Sequence, residues 1–189
     1  VDKYLAVGDY PGDPPASAMM YSMNLTEWKT TNKSVDFSGS FYYICHGDNG
    51  FVATKYNSNT CLHSTDGINW ENVTISDTAR SWGAICYGNG KYIALDSTVI
   101  TRNWYSVCYG NDKFVTVAWN TNYFAYSTDG INWTEGTISS TSRQWRSVCY
   151  GNDKFVAVAN NTNYFAYSTD GINWTEGTIS NTNRRWSSV

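Results

Sequence analysis

Short runs of apolar and polar residues in alternation fill the chain, and such runs predict β-strands. In the last repeat unit four of them follow one another, at 145–150, 154–159, 164–167 and 173–180. The residues between the runs are rich in Gly, Asn and Asp, which favour tight turns because they tolerate positive φ. No stretch shows the 3.6-residue period of an amphipathic helix. The pattern therefore predicts an all-β protein.

The strand runs recur with a period of 41 residues. Trp104, Trp145 and Trp186 are spaced by this interval, and so are Cys108 and Cys149. A period near 40 with four strands in each unit is typical of a β-propeller blade. We therefore predict a single β-propeller domain over residues 1–189.

The repeat positions predict a five-bladed β-propeller with one truncated blade. The approximate bounds are 186–189 together with 1–40, then 41–80, 81–103, 104–144 and 145–185. We expect Val189 to pair beside the strand at residues 3–7, so that the N- and C-terminal strands share one blade and close the ring. Cys86 and Cys108 are only 22 residues apart, so the blade at 81–103 lacks its third and fourth strands. Either this blade is short in the protein, or the sequence omits a stretch of it.

A Ser-Thr-Asp-Gly-Ile-Asn-Trp motif lies between the third and fourth strand runs. It occurs three times, and a diverged copy covers 22–28. Asp-Gly between two strand runs is a strong hairpin signal, because Asp accepts bonds from the turn amides and Gly adopts positive φ without strain. We expect the closing Trp to be largely buried. The positions with a predicted structural role are Ser64, Asp66, Gly67, Trp70, Ser127, Asp129, Gly130, Trp133, Ser168, Asp170, Gly171 and Trp174.

These copies resemble the Asp-box, or BNR-repeat, motif of β-propellers such as sialidases, with one residue fewer before the Trp. The resemblance implies a turn between the third and fourth strands of a blade, away from the ligand face. It is specific for a fold and weak for a function. The near-identical repeats also resemble bacterial surface proteins and phage tail receptor-binding proteins, which implies an extracellular location on a bacterial surface or a phage virion.

The last two repeats, 104–144 and 145–185, agree at all but six of 41 positions. Five of the six differences fall in the loop after the second strand, in the loop after the fourth strand or at the start of the first strand. These segments share one face of an up-and-down blade, so the differences favour a binding surface there over simple drift of exposed loops. The predicted ligand-binding residues are Tyr105, Trp119, Arg143, Gln144, Arg146, Asn160, Arg184 and Arg185.

The acidic residues do not form a catalytic arrangement. Most belong to repeat positions, including Asp66, Asp129 and Asp170 of the motif, and glycoside cleavage requires a pair of carboxyl groups across the scissile bond. His46 and His63 replace Tyr residues of other repeats and are interpreted as structural. We therefore predict no catalytic residues and no enzyme activity, and a sialidase-like glycoside hydrolase remains the alternative.

The cysteines and the overall charge exclude further classes. Four of the five Cys occupy one repeat position inside an apolar strand, which favours buried small residues over disulfides or a metal ring. We predict no metal and no cofactor. The net charge of −3 provides no basic surface for nucleic acid, and no apolar run is long enough to insert into a membrane.

Aromatic residues make up 16% of the chain, and amide, hydroxyl and guanidinium groups accompany them on the variable face. Flat rings with such donors suit sugars or a protein surface. The sequence therefore predicts a non-catalytic, lectin-like module that binds a glycan or a cell-surface protein, within a larger multidomain or virion assembly. A purely structural or interaction module is a further alternative.

Overall fold

The computed structural model describes residues 3–10, 16–31, 40–96 and 102–189. The parts of the predicted blades at 1–2, 11–15, 32–39 and 97–101 lie outside the described residues. Within the described residues all regular elements are β-strands, as the sequence predicts. A membrane-spanning helix is accordingly not found in this part of the chain.

The strands form consecutive antiparallel sheets in chain order. The first blade contains β1 (Tyr4–Tyr10), β2 (Ala16–Ser22) and β3 (Lys29–Thr30). The second contains β4 (Phe41–Gly47), β5 (Gly50–Lys55), β6 (Thr60–Ser64) and β7 (Glu71–Thr74). A hairpin of β8 (Trp82–Gly88) and β9 (Lys91–Asp96) follows.

The last two blades correspond to the near-identical repeats. One contains β10 (Trp104–Gly110), β11 (Lys113–Ala118), β12 (Tyr123–Ser127) and β13 (Thr134–Thr137). The other contains β14 (Gln144–Gly151), β15 (Lys154–Thr162), β16 (Tyr164–Ser168) and β17 (Thr175–Thr178), and β18 (Arg184–Arg185) pairs with β15. The second, third and fourth blades therefore share the order of inner to outer strands.

The prediction of five blades is wrong, because the described residues form four blades of three or more strands. The unit at 81–103 provides only the β8–β9 hairpin. The reason is chain length, since Trp104 already begins the next inner strand a few residues after Asp96. That interval is too short for two further strands and their turns.

Glycines fix how closely the inner strands approach one another. A methyl group at Gly47, Gly88 or Gly110 would lie within 2.0–2.3 Å of the ring of a Tyr on the following inner strand. These rings belong to Tyr87, Tyr109 and Tyr150, respectively. The hairpin therefore occupies the space between β4 and β10, although it does not form a full blade.

The predicted closure of the ring is also wrong. Residues 186–189 lie in no strand, and within the described residues β1 pairs with β2 alone. The backbone N–H of Val189 instead donates to the hydroxyl of Ser147 at 3.2 Å. The same bond joins Val148 N–H to Ser106 Oγ between β14 and β10, at 3.1 Å. The chain end thus packs beside β14 as the next inner strand would.

Candidate functional site

Each inner strand from β4 onward begins with a β-bulge. In β10, Trp104 pairs with Ala118 and Ser106 pairs with Val117, so Tyr105 has no partner across the sheet. The same shift leaves Tyr42, Gly83 and Arg146 unopposed in their strands. A bulge redirects the extra residue out of the regular pleat, and bulges are common next to binding sites.

The four bulged residues line one cavity. Its volume is about 390 Å³, and it opens where the inner strands begin. Its wall is mostly aromatic, and among the described residues Arg146 is its one charged side chain. The described lining residues are Tyr42, Tyr43, Tyr56, Ser81, Trp82, Gly83, Asn103, Trp104, Tyr105 and Arg146. Trp104 is 1% exposed, so it forms the floor of the cavity rather than a free platform.

Each bulged ring packs against a ring from the loop that follows the second strand. The ring centres of Tyr105 and Trp119 are 5.2 Å apart. Tyr42 and Tyr56 occupy the same two repeat positions, and their ring centres are 6.0 Å apart. These distances lie in the range of favourable aromatic pairs. The loop residue therefore supports the bulged residue; Trp119 does so from behind, whereas Tyr56 also lines the cavity itself.

Arg146 completes the wall from the fourth blade. Its guanidinium lies 4.7 Å from the ring centre of Tyr105 and 5.4 Å from that of Trp119. Both distances suit a cation–π contact. Within the described residues the guanidinium of Arg146 forms no ion pair, so its charge is directed to the rings and the cavity.

Tyr43 lies deeper in the same wall. Burial raises the pKa of its hydroxyl above the usual value, and the positive charge of Arg146 acts in the opposite direction. The hydroxyl is therefore protonated at neutral pH and can donate a hydrogen bond. Tyr43 and Arg146 together provide polar donors in an otherwise apolar cavity.

The predicted ligand-binding residues divide into three groups. Tyr105 and Arg146 line the cavity, and Trp119 supports both from behind. Arg143 lies elsewhere, because its Nε donates to Glu176 Oε1 at 2.8 Å and its guanidinium covers the ring of Tyr164 at 3.7 Å. The remaining four lie in paired strands of the fourth blade and do not line the cavity: Gln144, Asn160, Arg184 and Arg185.

The sequence comparison missed several lining residues from the second blade and the hairpin, namely Tyr42, Tyr43, Tyr56 and Trp82. Tyr42 and Tyr56 could have been found, because they align with Tyr105 and Trp119 in the repeat. The comparison of two nearly identical repeats did not include this more diverged blade. The bulge that turns Tyr42 toward the cavity has no such signal in the sequence.

The Ser-Thr-Asp-Gly segments form the turns between the third and fourth strands. In the third blade Asp129 Oδ1 accepts the backbone N–H groups of Ile131 and Asn132, each at 2.8 Å. Ser127 Oγ accepts the N–H of Gly130 at 2.8 Å, and Gly130 has a φ of 77°. We call this arrangement the Ser–Asp turn. The bonds recur around Asp66 and Asp170.

The Ser–Asp turn perturbs the acidity of its carboxylates. The N–H of Asn132 and then that of Ile131 hold the pKa of Asp129 well below its usual range, and the same causes act on Asp66 and Asp170. The diverged first turn uses Asn24, whose Oδ1 accepts the N–H groups of Thr26 and Glu27 at 3.0 Å each. A neutral amide oxygen can therefore hold the same turn.

The Trp residues after these turns differ in burial. Trp70 is 4% exposed, as predicted, whereas Trp133 and Trp174 are only half-buried. The predicted burial is thus nearly complete for Trp70 and partial for Trp133 and Trp174, which both pack against the hydrophobic core. All three turns nevertheless lie at the opposite ends of the inner strands from the cavity.

Carboxyl, imidazole and thiol groups are not found at the cavity wall. Among the described residues, no Asp, Glu, His or Cys lines it. His63 instead bonds to Glu71 and to the carbonyl oxygen of Asn49, and His46 is exposed beside the ring of Phe51. The five cysteines are free thiols, and burial raises the pKa of each. No group of His, Cys, Asp and Glu suited to a metal occurs in the described ranges.

Comparison with solved structures finds propeller proteins. A catalytically inactive His-to-Ala variant of virginiamycin B lyase from Staphylococcus aureus with Quinupristin superposes with a TM-score of 0.76 and 14% identity. The match covers 99% of this chain and 78% of that chain. The chain has a β-propeller fold.

Two further structures share this propeller fold. A streptogramin B lyase gives a TM-score of 0.73 and 13% identity over 90% of this chain and 65% of that chain. YCF48 bound to D1 peptide gives a TM-score of 0.61 and 14% identity, and the match covers 90% of this chain and 63% of that chain. Identities this low support the fold alone. No protein-family model matches the chain, and no curated protein matches it in sequence.

Proposed function

We propose that the protein is a non-catalytic recognition module whose aromatic cavity binds a glycan. The observation that carries the proposal is the convergence of the bulged positions Tyr42, Gly83, Tyr105 and Arg146 on one cavity. These positions carry different residues in successive units, whereas the strands around them repeat closely. Repeated strands that differ mainly at the residues of one site are the arrangement expected of a binding surface.

The chemistry of the cavity suits a sugar ring. The apolar C–H face of a sugar packs against flat aromatic rings, and Tyr42 and Tyr105 supply such rings at the cavity wall. Arg146 and the Tyr43 hydroxyl supply donors for ring hydroxyls or for an acidic substituent. The volume of about 390 Å³ lies at the lower end of the range of small-ligand sites.

The lining residues do not favour catalysis. Cleavage of a glycosidic bond requires two carboxyl groups, and none belongs to the described residues of the cavity wall. The similar lyase is catalytically inactive when one of its histidines is replaced by alanine. In the described part of this chain, no histidine lines the cavity. These differences support binding without turnover.

A protein ligand is the second candidate, because the fold is similar to that of YCF48 bound to D1 peptide. An aromatic or acidic side chain of a partner protein would use the same rings and the same guanidinium. For either ligand we propose an extracellular setting on a bacterial surface or a phage virion, with this chain as the recognition part of a larger assembly. The Ser–Asp turns are proposed to be Asp boxes.

A glycan array tests the proposal. Wild-type protein is compared with Tyr105→Ala, which removes a ring from the cavity wall, and with Asn181→Ser, which introduces the residue of the matching position Ser140. We expect wild type and Asn181→Ser to bind the same glycans and Tyr105→Ala to lose them, with all three folded by circular dichroism. A wild-type protein that binds no glycan would contradict the ligand class. Binding that survives Tyr105→Ala would contradict the site.

A further inference from the structure

The outer edge of β9 differs from the corresponding edge in every complete blade. The second strands β5, β11 and β15 each pair with a strand on both sides. Within the described residues β9 pairs with β8 alone. An open strand edge presents a row of backbone N–H and C=O groups to any extended segment that can reach it.

The repeats show what covers this edge elsewhere. Ile93 pairs with Cys86 as Val115 pairs with Cys108, so β9 and β11 are in the same register. On its outer side β11 pairs with the Tyr-Phe-Ala-Tyr-Ser strand β12, which places Phe124 opposite Val117. A strand with large aromatic residues on both sides of Ala is therefore the natural partner for an edge of this shape.

A cavity of about 450 Å³ lies beside β9, between the hairpin and the Ser–Asp turn of the third blade. Its lining is largely apolar, with one Arg and one Asp that form an ion pair at 3.1 Å. The lining residues are Arg80, Trp82, Ile93, Ala94, Leu95, Asp96, Gly130, Ile131 and Trp133. The cavity is therefore separate from the aromatic cavity, apart from their shared Trp82.

Equivalent residues in the fourth blade are covered by a ring that the described residues do not provide at this cavity. Trp174 packs on Phe124 of the preceding blade, with ring centres 5.6 Å apart. Among the described residues Trp133 has no such ring from the hairpin. Ile131 is 75% exposed, whereas Ile172, at the same turn position, is 38% exposed. In the part of the chain that the structure describes, no aromatic side chain covers Ile131 and Trp133 as Phe124 covers Trp174.

We propose that β9 binds an extended peptide segment of a partner protein, which adds as a third, antiparallel strand. The segment places an aromatic side chain opposite Leu95 and against Trp133, as β12 places Phe124 against Trp174. Backbone hydrogen bonds to the edge supply affinity, and the aromatic side chain in the cavity supplies specificity. The partner is therefore recognised by an aromatic-small-aromatic pattern in an extended conformation.

A labelled peptide with the sequence of residues 122–128, Asn-Tyr-Phe-Ala-Tyr-Ser-Thr, is the probe, and fluorescence anisotropy with the full chain is the measurement. We expect saturable binding. The Phe124→Ser change in the peptide should weaken its binding at least tenfold, because no aromatic ring then enters the cavity. The Ala125→Pro change in the peptide should abolish binding, because Pro removes a backbone N–H donor from the added strand.

Variants of the protein locate the peptide. Ile131→Ser changes an exposed residue of the cavity and should weaken binding at least fivefold. Ile172→Ser, the same change in the turn of the fourth blade, should leave binding within twofold, and so should Arg146→Gln in the aromatic cavity. Absence of saturable binding, or equal binding by Ile131→Ser and Ile172→Ser, would overturn the proposal. Loss of binding in Arg146→Gln would place the peptide in the aromatic cavity and would overturn it as well.

Discussion

The guanidinium of Arg146 lies 4.7 Å from the ring centre of Tyr105, and the contact joins two neighbouring blades. Both residues occupy the bulged position of their inner strands. The same repeat position thus supplies a ring in one blade and a charge in the next. The β-bulge at the start of each inner strand therefore sets the geometry of the cavity, and the residue type at the bulged repeat position sets its chemistry.

Trp119→Ala should weaken ligand binding moderately. Trp119 does not line the cavity, but its ring lies 5.2 Å from Tyr105 and holds that residue in place. An aromatic pair contributes about 0.5–1.5 kcal/mol, so affinity should fall about 2- to 10-fold. The stability of the fold should change by less than about 1 kcal/mol, because the fourth blade has Asn160 at this position. Titration calorimetry and urea unfolding of the same variant measure the two quantities.

Gly110→Ala should destabilise the packing of adjacent inner strands. The added methyl group would lie 2.0 Å from Cγ of Tyr150, and the backbone or the ring must move. Overpacking of this kind costs about 1–3 kcal/mol. Gly151→Ala is the matched control, because no atom lies within 4 Å of a methyl group there and its φ is not positive. Equal unfolding midpoints for the two variants would refute the role of the glycine.

Stability should fall in acid because of the Ser–Asp turns. The folded-state pKa of Asp170 is depressed by the N–H of Asn173, so its contribution is complete above the unfolded pKa of about 3.9. The contribution is lost as the pH falls through the folded pKa. Asp170→Asn should keep the amide bonds, as Asn24 does, and should lose less stability than wild type between pH 6 and pH 3. Asp170→Ala should be less stable at both values, by about 1–2 kcal/mol at pH 6.

Thermal melts at the two pH values separate these cases. A parallel loss of stability in wild type and Asp170→Asn would show that the carboxylate does not contribute to the acid sensitivity. The other turn carboxylates, Asp66 and Asp129, remain in both proteins and titrate in the same direction.

Arg143→Gln should lower stability. The Arg143–Glu176 pair is mostly buried, with side chains 16% and 23% exposed, and the guanidinium also covers the ring of Tyr164. Its loss should cost about 1–3 kcal/mol. Arg102→Gln removes the equivalent pair in the third blade, where Glu135 is 39% exposed, and should cost less. A larger effect of Arg102→Gln on the urea midpoint would disagree with the burial of the two pairs.

The sequence predicts the strands of the complete blades well, because the period of 41 residues and the Asp-Gly turns are local signals. It also identifies Tyr105 and Arg146, since both differ between nearly identical repeats. Position alone predicts Arg143 in the binding site, because its charge lies on the correct face. Its partner Glu176 follows 33 residues later, and Arg102 and Glu135 have the same spacing. That recurrence is visible in the sequence and indicates a structural pair.

Other features depend on three-dimensional context. The bulges that direct Tyr42 and Tyr105 into one cavity arise from strand register, which residue types alone do not reveal. The repeat count overestimates the number of blades, because the described residues of the unit at 81–103 retain the inner strand of a blade without its outer strands. A repeat count measures inner strands, whereas a blade also requires the strands that cover them.

The most direct test of the aromatic cavity is a pair of titrations with the glycan that binds best on the array. Arg146→Gln changes the cavity, and Arg143→Gln makes the same chemical change on the same face at a residue held by Glu176. The account predicts that Arg146→Gln weakens affinity at least tenfold, while folded Arg143→Gln binds within twofold of wild type. Normal binding by Arg146→Gln together with lost binding by folded Arg143→Gln would contradict it.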